Sequence, residues 1–209
     1  MVAKDDSHPQ DQAAQGPPGT RRTQLVDAAV DHIATHGIAD LSLRRLGAAI
    51  GVSHRMLIHY FGSKEQLLIE IVRTSERRQR DVLSRLRLEP GPSPADVARL
   101  LWQQLTDPQL AGQQRLFFEI CGHALRGHPE TAAILEGLVT DWLEPLAAAE
   151  ARAGAGPARA RNRARLGLAT VRGLLLDLLA TGDRAGVNAA MEEFLRLYYG
   201  PQRETTDQT

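Results

Sequence analysis

Between residues 41 and 64 the chain reads LSLRRLGAAIGVSHRMLIHYFGSK, with four cations (Arg44, Arg45, Arg55 and Lys64) and no acid. A segment of this kind is equipped to hold a polyanion. Ser42 and Ser53 stand where helices begin, and a helix N-terminus offers unpaired N–H groups and partial positive charge to a phosphate. Ser53, His54, Arg55 and His59 can all donate hydrogen bonds. An arginine such as Arg55 can also pair bidentately with the major-groove edge of guanine. Arg44, Arg45, Tyr60 and Lys64 add candidate phosphate contacts, which fix position on a duplex but carry no base information.

The other chemistry-bearing residues form no comparable set. His32 and His36 are four apart, a zinc-pair spacing, but no Glu lies between them and no third ligand accompanies them. His123 and His128 merely straddle a glycine. GPPGT at 16–20 opens like a phosphate loop, then continues Arg21-Arg22 where Gly-Lys-Ser/Thr is needed. There is no Gly-x-Ser-x-Gly elbow, and the only cysteine, Cys121, lacks a defined partner for nucleophilic work. No catalytic residue, metal site or cofactor is expected, and the chain does not read as an enzyme.

The basic segment must be positioned by two short helices. Ser42 caps one that ends near Ile50, and Ser53 caps another that ends near Phe61. Gly51 suits a left-handed turn between them, and Gly47, four residues earlier, lets the helices cross closely. Leu46, Ile50, Val52, Leu57 and Tyr60 fall where the pair would face a shared core. This is the helix-turn-helix pattern, whose second helix enters the major groove.

Helix signals recur along the rest of the chain, while runs rich in β-branched or aromatic residues are lacking. Further helices are predicted at about 20–36, 64–88, 95–106, 109–126, 129–152, 158–181 and 184–199, with a kink at Pro145. The cluster EPGPSP at 89–94 is the sharpest break. The fold class is all-α. Residues 1–19 and 201–209 read as disordered tails, 20–65 as the helix-turn-helix domain, and 66–200 as a second helical domain.

Formal net charge over the 209 residues is zero, which at first argues against a nucleic-acid partner. The distribution reverses that argument. Residues 20–80 hold ten basic and six acidic side chains, residues 1–19 one and three, and residues 81–209 fourteen and sixteen. Neutrality therefore conceals a basic head. One cysteine excludes an internal disulfide framework and fits a reducing cytosol. No apolar run is long enough to span a membrane, and the N-terminus lacks signal-peptide character. A cytoplasmic location with no membrane partner is expected.

The segment resembles the DNA-binding domain of TetR-family (tetracycline-repressor-like) regulators over about residues 20–70. The resemblance rests on Gly37, Ser42 with Arg44, Gly51-Val52-Ser53, His59-Tyr60-Phe61, and Ser63-Lys64-Glu65 with Leu67 and Leu68. VRGLLLDLLATGD at 171–183 resembles a run common late in that family. Three positions depart from it: Ile58 replaces a frequent aromatic, Arg45 a frequent acid, and Arg55-Met56 small residues of the recognition helix. An operator sequence therefore cannot be transferred from a relative.

The resemblance implies a homodimer on a palindromic double-stranded DNA operator, released by a small-molecule effector. In such dimers the last two helices pair across the two-fold, here through Leu174, Leu175, Leu178, Leu179, Val187, Met191, Phe194 and Leu195. It also implies an effector pocket among the central helices. Trp102, Phe117, Phe118, Cys121, His123 and Trp142 are candidate lining residues, because pockets are apolar with few polar anchors; each also reads as ordinary core. Asp177 reads as a cap or as partner to an arginine such as Arg172. The competing reading is a helical enzyme or adaptor that keeps the fold without operator binding.

Overall fold

The computed structural model describes residues 18–37, 42–85 and 93–200. Both terminal tails, apart from residues 18 and 19, and positions 86–92, which include most of the EPGPSP break, lie outside the described residues. Among the described residues nine α-helices follow in order: α1 (Pro18–His36), α2 (Leu43–Ala49), α3 (His54–Phe61), α4 (Lys64–Arg85), α5 (Pro94–Leu105), α6 (Ala111–Leu125), α7 (Thr140–Arg152), α8 (Pro157–Thr181) and α9 (Arg184–Tyr199). Single 3₁₀ turns occupy Pro108–Leu110 and Ala132–Leu135. No strand occurs among the described residues.

Local chemistry explains most helix starts. Ser93 and Asp96 form a reciprocal capping box with Pro94 in the first turn of α5, which satisfies two otherwise orphaned N–H groups. Asp183 caps α9 by accepting from the Gly186 N–H at 2.9 Å. One prediction fails. The single helix expected over 129–152 is a 3₁₀ turn followed, after a gap, by α7. The chain breaks at Gly137, where φ is +75°, outside the right-handed helical basin and accessible chiefly to glycine. Pro145, expected to kink the helix, lies inside α7.

Helices α1 to α4 share their core with α6. Ala29, Ile33, Leu57, Leu67, Ile71 and Leu116 belong to one buried cluster. Full burial of a leucine such as Leu57 contributes roughly 1.5–3 kcal/mol. The apolar cluster thus continues across position 65, where the helix-turn-helix domain was expected to end. Two further clusters form beyond it. Leu83, Val97, Leu101, Trp142 and Leu168 make one; Trp102, Leu175, Val187, Met191 and Leu195 make the other.

That last cluster removes four of the eight residues expected at the dimer face, while Leu174, Leu178, Leu179 and Phe194 stay half-buried. Leu175, Val187, Met191 and Leu195 are buried within their own chain. A helix has to bury one stripe against its own neighbours before it offers another outward, and here α8 and α9 turn these residues onto Trp102 of α5. The outward apolar residues of the two helices are Leu166, Leu176 and Leu197.

Candidate nucleic-acid interface and buried cavity

The turn between α2 and α3 is built by backbone contact. The Val52 N–H donates to the Gly47 carbonyl at 2.8 Å. A Cβ on Gly47 would lie 2.7 Å from the Val52 oxygen, so the crossing requires a residue without a side chain. Gly51 turns at φ +75°. Ser42 and Ser53 take the predicted capping positions, their hydroxyls accepting from the N–H groups of Arg45 and Met56, each at 3.2 Å. Each hydroxyl keeps its own proton for donation to a phosphate.

Leu57 and Phe61 turn inward from α3, while His54, Arg55, Met56, Ile58 and His59 are exposed. Tyr60 is half-buried with its ring edge-on to His59. Ser42, Arg44, Arg45, Ser53 and Lys64 are exposed too. Arg44, Arg55 and Lys64 have no acidic partner among the described residues. Nearby arginines are committed to structure. Arg22 pairs with Glu70 at 3.0 Å and lies over the Phe61 ring; Arg78 binds Asp27 and Asp31 at 2.8 and 2.6 Å, fastening α4 to α1. The result is an exposed basic helix face on a rigid support.

A cavity of about 70 Å³ lies among helices α4, α5, α6, α7, α8 and α9. Val97, Leu101, Phe117, Leu168 and Leu175 supply apolar wall. Two acids stand in it, Glu150 buried and Glu76 half-buried. Glu76 accepts from Trp142 Nε1 at 2.7 Å and from Arg172 at 3.0 Å. Burial raises its pKa, and the neighbouring Arg172 opposes that shift. Glu150 accepts from the Tyr199 hydroxyl at 2.7 Å and pairs with Arg163 at 3.0 Å. Burial, then the bond to Glu150, raises the Tyr199 phenol above its ordinary range. Gln79 Oε1 and Gln114 Nε2 are buried and have no hydrogen-bond partner among the described residues.

Of the six predicted pocket residues, Phe117 and Trp142 line this cavity. Trp102 packs instead against α8 and α9, donating to Asn188 at 2.8 Å. Phe118 is half-buried, edge-on to Phe117. Cys121 sits in the first core cluster, where burial pushes its thiol up to about 11. His123 is half-buried with its ring 5.2 Å from His128. Arg172 pairs with Glu76, whereas Asp177 accepts from the Thr181 hydroxyl within its own helix. Sequence reasoning missed Glu76, Gln79, Gln114, Glu150, Arg163 and Tyr199 as cavity residues. A signal existed for Gln79, since its spacing continues the inward face marked by Leu68 and Val72 along α4, where a polar group is buried. None existed for the pairing of Glu150 with Arg163 and Tyr199.

His32 and His36 stack at 4.4 Å. Among the described residues no cluster of three or more His, Cys, Asp or Glu could hold a metal. Among them, too, no helix is long and apolar enough to cross a membrane.

Residues 25–71 match the family described as bacterial regulatory proteins, tetR family. The chain is 41% identical over 73 residues to the HTH-type transcriptional regulator BetI of Agrobacterium fabrum, a match covering 34% of this chain and 35% of that protein. It is 28% identical over 159 residues to the regulator of the same name from Stenotrophomonas maltophilia, covering 59% of this chain and 80% of that one. The first of these alignments therefore spans only about a third of the relative. A crystal structure of a transcriptional regulator from Rhodococcus sp. Rha1 has the same fold, with TM-score 0.67 at 24% identity over 87% of this chain and 99% of that one. The matched residues 25–71 contain the helix-turn-helix, and this segment is similar to the tetR family of bacterial regulatory proteins within an all-helical fold.

Proposed function

We propose that the protein is a sequence-specific, ligand-responsive DNA-binding transcriptional regulator, a repressor released from its operator when a small molecule fills the cavity. The observation that carries this reading is the exposed face of α3, with Arg55 free of acidic partners among the described residues on a helix fixed by two serine caps and the Gly47 crossing. Ser53, His54, Arg55 and His59 face the bases. Ser42, Arg44, Arg45, Tyr60 and Lys64 hold phosphates. The working form is a cytoplasmic homodimer on a palindromic site, and no catalysis is assigned to it.

Two helices link cavity to reading head. Helix α4 carries Glu76 and Gln79 at the cavity and Leu67 and Ile71 in the core beneath α3. Helix α6 carries Gln114 and Phe117 at the cavity, while Gln113 donates to the Val30 carbonyl of α1 at 3.1 Å. A ligand that favours one arrangement of α4 and α6 shifts the spacing of the two recognition helices, and a coupling of about 1–3 kcal/mol suffices to change occupancy.

The test is binding to DNA from upstream of the protein's own gene across a salt series. Selective binding with a steep salt slope is expected, about −0.9 in log K per log salt for each phosphate neutralised. Arg55→Ala should cost about 1–3 kcal/mol at one base position and relax selectivity, whereas Lys64→Ala should weaken all sequences alike and lower the slope by about 1. Equal weak binding to every sequence, or none, would leave the adaptor or enzyme reading in its place.

A further inference from the structure

We infer that the cavity selects an uncharged, largely apolar molecule bearing one group that both donates and accepts a hydrogen bond, a primary carboxamide being the simplest. This rests on the cavity being the effector site, and it assigns Gln79 and Gln114 as the anchors. Each is buried, 5% and 3% exposed, each lines the largely apolar cavity, and each has one amide atom without a hydrogen-bond partner among the described residues. The Gln79 oxygen requires a donor and the Gln114 nitrogen requires an acceptor. A carboxamide supplies both, whereas a hydrocarbon leaves both buried groups unmet.

Charged ligands are disfavoured by what already occupies the site. Each carboxylate is taken, Glu76 by Arg172 and Glu150 by Arg163. The aromatic faces that would attract a cation are also taken. The Arg172 guanidinium lies 5.1 Å from the Phe117 centroid, Arg163 lies 5.0 Å from that of Tyr199, and Arg80 lies 5.8 Å from that of Trp142. A cationic ligand must evict one of the protein's own guanidinium groups, and an anion must evict a carboxylate. Either exchange leaves a buried charge without its partner. The four ionisable side chains Glu76, Glu150, Arg163 and Arg172 sum to zero, so the site has no net field to neutralise.

The test is calorimetric titration of the full chain with three probes of equal chain length: octanamide, octanoate and octyltrimethylammonium. Octanamide should bind at least ~10-fold tighter than either ion, a factor of ten being about 1.4 kcal/mol. Gln79→Met and Gln114→Met, which keep volume while removing the polar atom, should each weaken octanamide ~10-fold, again about 1.4 kcal/mol, and should raise the apo melting temperature by removing an unmet group. Gln79→Leu serves as a second variant if either methionine variant fails to fold. The inference is overturned if either ion binds as well as octanamide, if octanamide does not bind, or if its affinity ignores the substitutions. DNA binding measured in parallel separates the two readings. Octanamide that binds through Gln79 and Gln114 without altering DNA affinity upholds the ligand class and sinks ligand response. An ion that binds better and releases DNA does the reverse.

Discussion

The reading head and the cavity treat charge in opposite ways. On α2, α3 and the start of α4, the cations Arg44, Arg55 and Lys64 stand in solvent without acidic partners among the described residues. Around the cavity, Arg163 and Arg172 are each matched to a carboxylate at 3.0 Å. Exposed charge is inexpensive to maintain in water and remains available to a polyanion outside. Buried charge must be paired within the fold; among the described residues the cavity-lining polar atoms without a hydrogen-bond partner are Gln79 Oε1, Gln114 Nε2 and Arg163 Nε. On the proposed reading, the head attracts a charged partner of great length and the cavity sorts small ones by hydrogen bonding and shape. The head also occupies one short contiguous segment, whereas the cavity collects residues from Glu76 to Tyr199.

If this contrast is right, the largest effect should come from unbalancing the cavity. Arg172→Ala leaves Glu76 without its closest cation, a loss of about 3–5 kcal/mol expected at pH 8 and measured by urea unfolding. Burial already raises the Glu76 pKa and Arg172 pulls it down, so the variant raises it further. A group whose folded pKa lies above its unfolded value favours the fold below that value and loses the contribution as pH rises through the folded pKa. The deficit of the variant should therefore shrink as pH falls towards 5. A deficit that does not change with pH would mean that Glu76 is not the group left unbalanced.

A smaller loss is expected at the head, where geometry rather than charge is at stake. Gly47→Ala places a methyl 2.7 Å from the Val52 carbonyl oxygen. Forcing α2 and α3 apart should cost about 1–3 kcal/mol of stability and, more tellingly, most of the selectivity for operator over random DNA in a gel-shift assay. Unchanged selectivity would show that the crossing does not set the recognition helix.

The smallest effect concerns Cys121, which lies in the core that joins the two regions. Its thiol is pushed up to about 11 by burial, so it stays protonated at neutral pH. Iodoacetamide at pH 8 should label native protein far more slowly than urea-unfolded protein. Since the folded pKa is raised, the associated stability holds below the unfolded thiol pKa, about 8.5, and fades as pH rises through about 11. Rapid native labelling at pH 8 would show that this core opens readily.

How much of this was legible beforehand differs between the two regions for one reason. Ser42, Gly47, Gly51, Ser53 and Leu57 act on neighbours within a few residues, so capping, turn geometry and helical periodicity place them without knowledge of the rest of the chain. The same local rules located the ends of α8 and α9. They failed at residues 129–139, where Gly137 outweighed Pro145 as the breaker. They also failed at α9, where periodicity marks Val187, Met191 and Leu195 as apolar but cannot say whether the stripe meets α5 or a second chain.

From the sequence alone came the helical class, the helix-turn-helix, its basic residues and the partition of charge that overall neutrality conceals, because each depends on spacing along the chain. The tertiary structure alone decided that Trp102 is core while Trp142 lines the cavity, that Arg172 answers Glu76 rather than Asp177, and that Gln79 and Gln114 go unanswered. Those outcomes depend on which helices pack together, and burial then decides which polar groups find a partner and which do not.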